Sequence, residues 1–328
     1  MTAAGGSAGG ATATERDARR PGRSGPLRYR VLRNQSAGAK GGISTNSCTP
    51  DELLALLERH DLGQDVVETD SEESAREAVR AAIRDQVDVV VAAGGDGTIG
   101  LIAEGLLDTD VALGILPLGS VMNIPRMLGL PRDLESAAEI LAGGKPTRID
   151  VGFVDGAPFY EAGSVGMNAA IFREAARFDD GDWLSIIRTI WVALRYRPAR
   201  MQIELDDGRR IRTRALMMTV SNGPYTGAGM MVAPDARLDD GRFDIRIFRG
   251  FSKWELVRHL AGIAFGRYRY APHVSTYRSA HVRVTSRHPL PCRADARDLG
   301  QTPIEFTVRP AALRVVVPRG GSAILSGS

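Results

Sequence analysis

The most constraining feature of this chain is a nearly unbroken β-branched run, Val87 to Ala93. It ends in Gly94-Gly95-Asp96-Gly97-Thr98 and passes directly into a helical segment. A strand with no polar face has to be covered on both sides, as the inner strands of parallel sheets are. Strand and helix signals alternate around it. Strands are predicted over 28–32, 65–69, 87–93 and 111–116, and helices over 71–85 and 98–107. A further helix opens at Thr49-Pro50-Asp51-Glu52, with Thr49 as cap, Pro50 in first position and acids in the first turn. Leu53, Leu54, Leu56 and Leu57 supply its buried side. This alternation predicts an α/β domain over 27–150, built on a doubly wound parallel sheet.

After Ile149-Asp150 the pattern changes to short segments of alternating polarity between the turns Asp155-Gly156, Asp206-Asp207-Gly208 and Asp239-Asp240-Gly241. A hairpin of Met201–Leu205 with Arg209–Val220 is predicted, followed by strands over 242–248, 281–285, 304–308 and 313–317. Helical stretches over 182–197 and 252–266 interrupt them. A second, mainly antiparallel β domain is therefore expected over 151–318. Residues 1–26 carry six glycines and no aromatic residue, and read with 319–328 as tails outside the fold.

The 328 residues suit two domains. With 25% charged and 43% hydrophobic residues the chain is expected to fold and remain soluble. The excess of 42 basic over 39 acidic residues is too small to suggest a nucleic acid partner. The uncharged stretch Val111–Pro125 is broken by Gly114, Pro117 and Gly119, and no transmembrane helix is expected. Cys48 and Cys292 make no disulfide framework or metal motif, and a reducing cytoplasm is the expected compartment. The N-terminus has no apolar core of an export signal, and Arg19-Arg20 leads into Pro21-Gly22. None of the five histidines has metal-binding spacing.

Glycines between a buried strand and a helix start let the backbone approach an anion, with free N–H groups pointing at it. Gly95-x-Gly97-x-x-Gly100 formally matches a dinucleotide fingerprint. It follows the third strand rather than the first, however, and the next strand ends in Leu116-Pro117 with no acid for a ribose. No Gly-x-x-x-x-Gly-Lys-Ser/Thr is present. A plain glycine turn remains the alternative to a phosphate loop. Asp96 within such a loop points to chemistry on a metal-bound phosphate or to a base facing an acceptor hydroxyl.

Seven motifs in order give the chain a resemblance to the bacterial diacylglycerol kinases and YegS-like lipid kinases, which share a superfamily with sphingosine kinases and NAD kinases. The first are Asn34 with Ser36 and Gly38, Gly94 to Thr98, and Leu116 to Ser120 followed by Arg126 and Leu128-Gly129-Leu130-Pro131. Ile149-Asp150-Val151-Gly152, Ser221-Asn222-Gly223 to Pro234, Asp239 to Asp244 and Gly300-Gln301-Thr302-Pro303 complete them.

The resemblance implies a nucleotide cleft between the two domains, and ATP and Mg²⁺ as substrate and cofactor. Asn34, Ser36, Thr69, Gly94, Gly95, Asp96, Gly97, Thr98 and Ser120 would line the nucleotide. Asp240 would hold a structural Mg²⁺ with backbone carbonyls near Arg237 and Arg242. Two departures follow. Asn123 stands where the family has an aspartate, and Asp295-Ala296-Arg297 where it has Asp-Gly-Glu, whose glutamate is the proton acceptor. Arginine cannot take that role. Asp96, as in related sphingosine kinases, is the expected base, with Asp295 or Asp298 as substitutes, and Arg297 would neutralise the transferring phosphate.

The expected activity is ATP-dependent phosphorylation of a lipid such as diacylglycerol. A non-catalytic nucleotide- or lipid-binding module and a kinase of another acceptor such as NAD are the alternatives. Trp183, Leu184, Ile187, Ile190, Trp191 and Leu194 share one helical face, near Arg188, Arg195 and Arg197. That face, or the segment around Trp254, would border a lipid entrance at a membrane surface or pack on the β domain. The expected location is cytoplasmic, peripheral at the inner membrane face. The oligomeric state is open, a homodimer included.

Overall fold

A computed structural model describes residues 26–35, 46, 48–179, 191, 195–227, 229–249 and 274–319. Ser36, most of the helix expected over 182–197, all of that over 252–266 and nearly all of both tails lie outside the described residues.

The first lobe follows the alternation in the sequence. In order come β1 (Tyr29–Asn34), α1 (Pro50–Arg59), β2 (Val66–Thr69), α2 (Glu72–Arg84) and β3 (Val89–Gly94). Next are α3 (Asp96–Leu106), β4 (Ala112–Pro117), α4 (Asn123–Met127) and α5 (Leu134–Gly143). The four strands run parallel in the order β2-β1-β3-β4. Side chains alternate across β3: Val90 and Ala92 pack with α2 and α3, while Val89, Val91 and Ala93 pack with α1 and α5. The sheet is covered on both faces, as the β-branched run requires. Thr49 caps α1 reciprocally with Glu52, its hydroxyl accepting the Glu52 N–H at 3.3 Å. Such a cap contributes about 1 kcal/mol.

The second lobe begins with β5 (Lys145–Val154), β6 (Ala157–Phe159), β7 (Ala162–Gly166) and α6 (Met167–Asp179). It continues with β8 (Ala199–Leu205), β9 (Arg210–Ala215), β10 (Met217–Ser221), β11 (Tyr225–Thr226), β12 (Met230–Met231) and β13 (Phe243–Phe248). β14 (Val274–Ser279), β15 (His281–Ser286), β16 (Pro291–Ala294), β17 (Arg297–Gln301) and β18 (Ile304–Val317) complete it.

Among the described residues two sheets pack face to face. One is the six-stranded antiparallel array β14-β13-β10-β7-β16-β17. The other is a ten-stranded sheet that continues from the first lobe through β18 into β15, β8 and β9. Phe159 sits at the centre of the core between them, stacked on Phe243 at 5.6 Å and edge-on to Phe306 at 5.9 Å.

Two strand expectations are corrected. Arg209–Val220 is not one arm of a hairpin. The chain bends at Leu216, whose N–H donates to Phe248 O at 2.9 Å, so β9 pairs with β8 while β10 enters the other sheet. The strands predicted over 304–308 and 313–317 are one strand, β18, with an irregularity between Arg309 and Leu313. Its first part pairs with β15, its last part lies parallel to β4, and β5 runs antiparallel along most of it. The boundary expected at 150/151 falls inside β5, and the lobes share this ladder.

Candidate functional site

The carboxyl ends of β1, β2, β3 and β4 meet at one sheet edge, and with them Asn34, Thr69, Gly94 and the loop to Ser120. Asn34 donates from Nδ2 to Thr98 Oγ1 at 2.8 Å, which joins the first loop to α3. Thr69 is buried and donates to Arg33 O at 3.2 Å. No side chain caps α3; Gly95 is its N-cap. The glycines are needed for close approach. A Cβ on Gly119 would lie 2.8 Å from Gly95 Cα, so the β3–α3 and β4–α4 loops pack backbone on backbone. Ser120 O accepts from Arg132 at 2.9 Å, which fixes the second loop.

Asp96 begins α3 but serves α4. Its Oδ1 accepts the Ile124 N–H at 2.9 Å and its Oδ2 the Asn123 N–H at 3.1 Å. α4 needs this, because its own N-cap, Met122, sits in the left-handed region at φ 61° and provides no side-chain cap. The Asp96 charge is thus taken up by a helix N-terminus within the protein. Burial still pushes the carboxyl above its ordinary range, opposed by those N–H donors.

Beyond α4 the chain of contacts crosses into the second lobe. Asn123 donates from Nδ2 to Glu161 Oε2 at 3.0 Å and to Gly227 O at 2.8 Å, and the Gly227 N–H returns to Glu161 Oε2 at 3.2 Å. Arg126 stacks on Tyr225, 4.0 Å from the ring centre, and donates to Gly229 O. α4 therefore clasps the β11–β12 ribbon.

Glu161 was not among the residues expected from sequence. It is buried, and its pKa is pushed up to about 8, first by burial and then by the nearby charges of Asp295 and Asp96. Its hydrogen bonds fall on Oε2, which leaves Oε1 without a donor among the described residues. The signal available in the sequence was that Glu161 is the one charged residue between Asp155 and Arg173.

Asp295 lies next to it and holds backbone. Its Oδ2 accepts the Tyr160 N–H at 2.8 Å, and its Oδ1 accepts those of Glu161 and Ala162 at 2.9 and 3.2 Å. Burial raises its pKa against those donors. Arg297 donates to Pro158 O, and Asp298 is ion-paired with Arg173, with Oδ1 2.7 Å from Nη2. In this geometry Asp298 is committed elsewhere, and Arg297 serves the strand behind Asp295.

A narrow cavity of about 50 Å³, room for about three or four waters, opens beside these groups. Ala162, Gly227, Arg293 and Asp295 line it together with Phe172, Met217, Met230 and Phe248. Ser164 and Thr219, opposed on β7 and β10, also line it, and their buried hydroxyls have no hydrogen-bond partner among the described residues.

The expected metal turn is built differently. Asp240 Oδ1 accepts the Arg242 N–H at 3.1 Å, and its Oδ2 lies 3.6 Å from the Arg278 guanidinium. Arg237 pairs with Asp239 at 3.1 Å. The turn is anchored by Asp150, which accepts the Gly241 N–H at 2.6 Å and the Ala311 N–H at 2.9 Å. No group of three potential metal-binding side chains occurs among the described residues. Asp240 Oδ1 thus closes its own turn while Oδ2 faces Arg278, so Mg²⁺ held there by Asp240 would have to displace that guanidinium. No step is derived from a metal held there by Asp240 and the carbonyls of Arg237 and Arg242.

A parallel-sheet lobe with an uncapped helix start at its carboxyl edge, closed by a β-sandwich lobe, defines a two-lobed kinase-type fold. Residues 28–154 match the diacylglycerol kinase catalytic domain, and 164–317 the YegS C-terminal NAD kinase beta sandwich-like domain. The chain belongs to the YegS-like and diacylglycerol kinase family. A Chromohalobacter salexigens protein named "Probable lipid kinase YegS-like" is 31% identical over 260 residues, which covers 77% of this chain and 81% of that one. The diacylglycerol kinase of Bacillus subtilis is 28% identical over 248 residues, covering 74% and 81%. The crystal structure of a diacylglycerol kinase from Bacillus anthracis has the same fold, with a TM-score of 0.66 at 16% identity over 91% of this chain and 99% of that one.

Proposed function

We propose that this protein transfers the γ-phosphoryl group of ATP to a hydroxyl of a lipid such as diacylglycerol. The polyphosphate would lie on the N-terminus of α3, in the loop of Gly94, Gly95, Gly97 and Thr98, with Asn34, Thr69 and Ser120 around the nucleotide. Mg²⁺ would arrive with ATP as part of the substrate. The acceptor hydroxyl would enter from the cavity lined by Ser164 and Thr219, whose orphaned hydroxyls can bond its polar head. The cavity's present volume suits such a head rather than an acyl chain.

The observation that carries the reading is the free Oε1 of Glu161, on a carboxylate whose pKa of about 8 suits proton transfer near neutrality. As the acceptor oxygen bonds to phosphorus and the bond to ADP breaks, the hydroxyl proton passes to Glu161. Asp96 and Asp295 have both oxygens filled by backbone N–H groups and act as positioning residues: Asp96 holds α4 and its Asn123, and Asp295 holds the backbone of Glu161. The Asn123–Glu161 pair supports this assignment, because it returns a carboxylate to where the family resemblance places an aspartate.

Incubation with Mg·ATP and a lipid extract, followed by mass spectrometry, tests the proposal. A phosphorylated diacylglycerol or related lipid is expected. ATP binding with no phosphorylated product would identify a binding module, and phosphorylation of NAD alone would identify a different acceptor.

A further inference from the structure

Helix α4 has five residues, and an isolated helix of that length does not hold in water. What keeps it in place comes from both lobes. From the first, Asp96 accepts the N–H groups of Asn123 and Ile124. From the second, Gly227 O accepts from Asn123 Nδ2, the Tyr225 ring carries the Arg126 guanidinium 4.0 Å from its centre, and Gly229 O accepts from Arg126 Nη1 at 3.2 Å. At the far end of α4, the Met127 thioether packs so closely on Gly223 that a Cβ there has no room. α4 is thus bound along its length to the β11–β12 ribbon and to the segment that leads into it.

The ribbon in turn belongs to the cavity. Thr226, Gly227 and Met230 form part of its wall, and the Gly227 N–H donates to Glu161 Oε2. Gly227 and Gly229 are left-handed, at φ 60° and 80°, a conformation that glycine adopts freely. Met122, just before α4, is left-handed at φ 61° without that freedom, and such a conformation persists only where its surroundings impose it. α4 and the ribbon therefore make one unit, with the glycine loop at one end and the cavity at the other.

The sign of a coupling through this unit follows from charge. With α4 in place, the Asp96 carboxylate directs its charge at two N–H donors. With α4 released, the same carboxylate would stand uncompensated at a helix start suited to anions, and would oppose a triphosphate. A ligand that secures the ribbon secures α4, and so favours the nucleotide.

We propose that Arg126 and Tyr225 are positioning residues that couple the two substrate sites. An acceptor in the cavity tightens nucleotide binding at α3, and the nucleotide tightens acceptor binding by the same factor. The two states are α4 clasped by the ribbon and α4 released, and only the clasped state presents both sites complete. The inference rests on the kinase reading above for the identity of the two ligands.

Calorimetric titration of the full chain with the Mg²⁺ complex of a β,γ-methylene analogue of ATP, with and without dioctanoylglycerol, tests it. In the wild type the lipid should lower the nucleotide Kd about tenfold, within the range usual for coupled sites. Tyr225→Leu removes the ring under Arg126 and should shrink that ratio by about two- to fivefold, the factor carried by a partly exposed cation–π contact. Tyr225→Phe keeps the ring and should keep the ratio. The ratio is the readout because a general loosening of the fold would weaken nucleotide binding in both titrations and leave it unchanged. Arg126→Gln removes the other half of the stack and should shrink the ratio likewise, should Tyr225→Leu fail to fold. Equal Kd values with and without lipid in the wild type would overturn the proposal, as would an undiminished ratio in Tyr225→Leu. Coupled binding without phosphorylated lipid would leave the coupling standing and remove the kinase reading; phosphorylated lipid without coupling would do the reverse.

Discussion

The two sides of the clasp treat polar groups in contrasting ways. On the side of the glycine loop three groups at the strand ends are matched internally: Asp96 accepts two N–H groups, Asn34 is bonded to Thr98, and Thr69 donates to Arg33 O. On the side of the cavity, among the described residues, Glu161 keeps one oxygen without a donor, and Ser164 and Thr219 keep unpaired hydroxyls. An unpaired buried hydroxyl costs about 1–3 kcal/mol. The first side is a finished frame; the second is an incomplete set of partners that a ligand would complete. Carboxylates facing the same cleft therefore differ in what they can do.

Glu161→Gln gives the sharpest test of this contrast. It should lower turnover by about 10²- to 10⁴-fold while ATP affinity is unchanged. In the wild type, activity should climb with pH toward about 8 as Glu161 ionises, and the variant should lack that limb. Stability should run the other way. The folded chain keeps a proton on Glu161 that the unfolded chain releases at an ordinary carboxylate pKa. Stability is therefore fully present at low pH and declines as pH rises toward about 8, and Glu161→Gln should flatten that decline.

Asp295→Ala leaves three N–H groups without their acceptor and should cost about 3 kcal/mol in urea unfolding. Asp96→Asn should be milder, about 1 kcal/mol, with turnover reduced less than tenfold. Turnover as low as that of Glu161→Gln would instead make Asp96 the proton acceptor and erase the contrast. No loss of stability is expected for Ser164→Ala with Thr219→Val. Removing the two unpaired hydroxyls should raise stability by about 2 kcal/mol or more, while KM for the lipid rises several-fold. An unaltered KM would show that these hydroxyls do not meet the acceptor.

The first lobe was legible because its physics is local. The Val87–Ala93 run, the Thr49–Glu52 cap and the glycines after β3 each carry their structural meaning within a few residues. The second lobe depends on distant partners. Nothing near Leu216 announces that β9 and β10 enter different sheets, because the bend is set by Phe248. The glycine turn between β3 and α3 was readable for the same reason as the first lobe. Glu161 was not, since its significance comes from Asn123 and Gly227, which only the tertiary fold brings to it. Asp96 was read as a group for chemistry in its own loop, and the reading did not include a second helix start as the destination of its charge.

The placement of β18 bears on how the chain is made. Leu113 of β4 finds its parallel neighbour in Val315, near the end of the described chain. During synthesis this flank of β4 stays unpaired until β18 emerges, so the first lobe is expected to complete its sheet only with the lobe that follows it. Shortening the chain back to Arg309 would therefore strip the middle of the sheet rather than trim an edge, and damage should reach β4 and the loop that follows it.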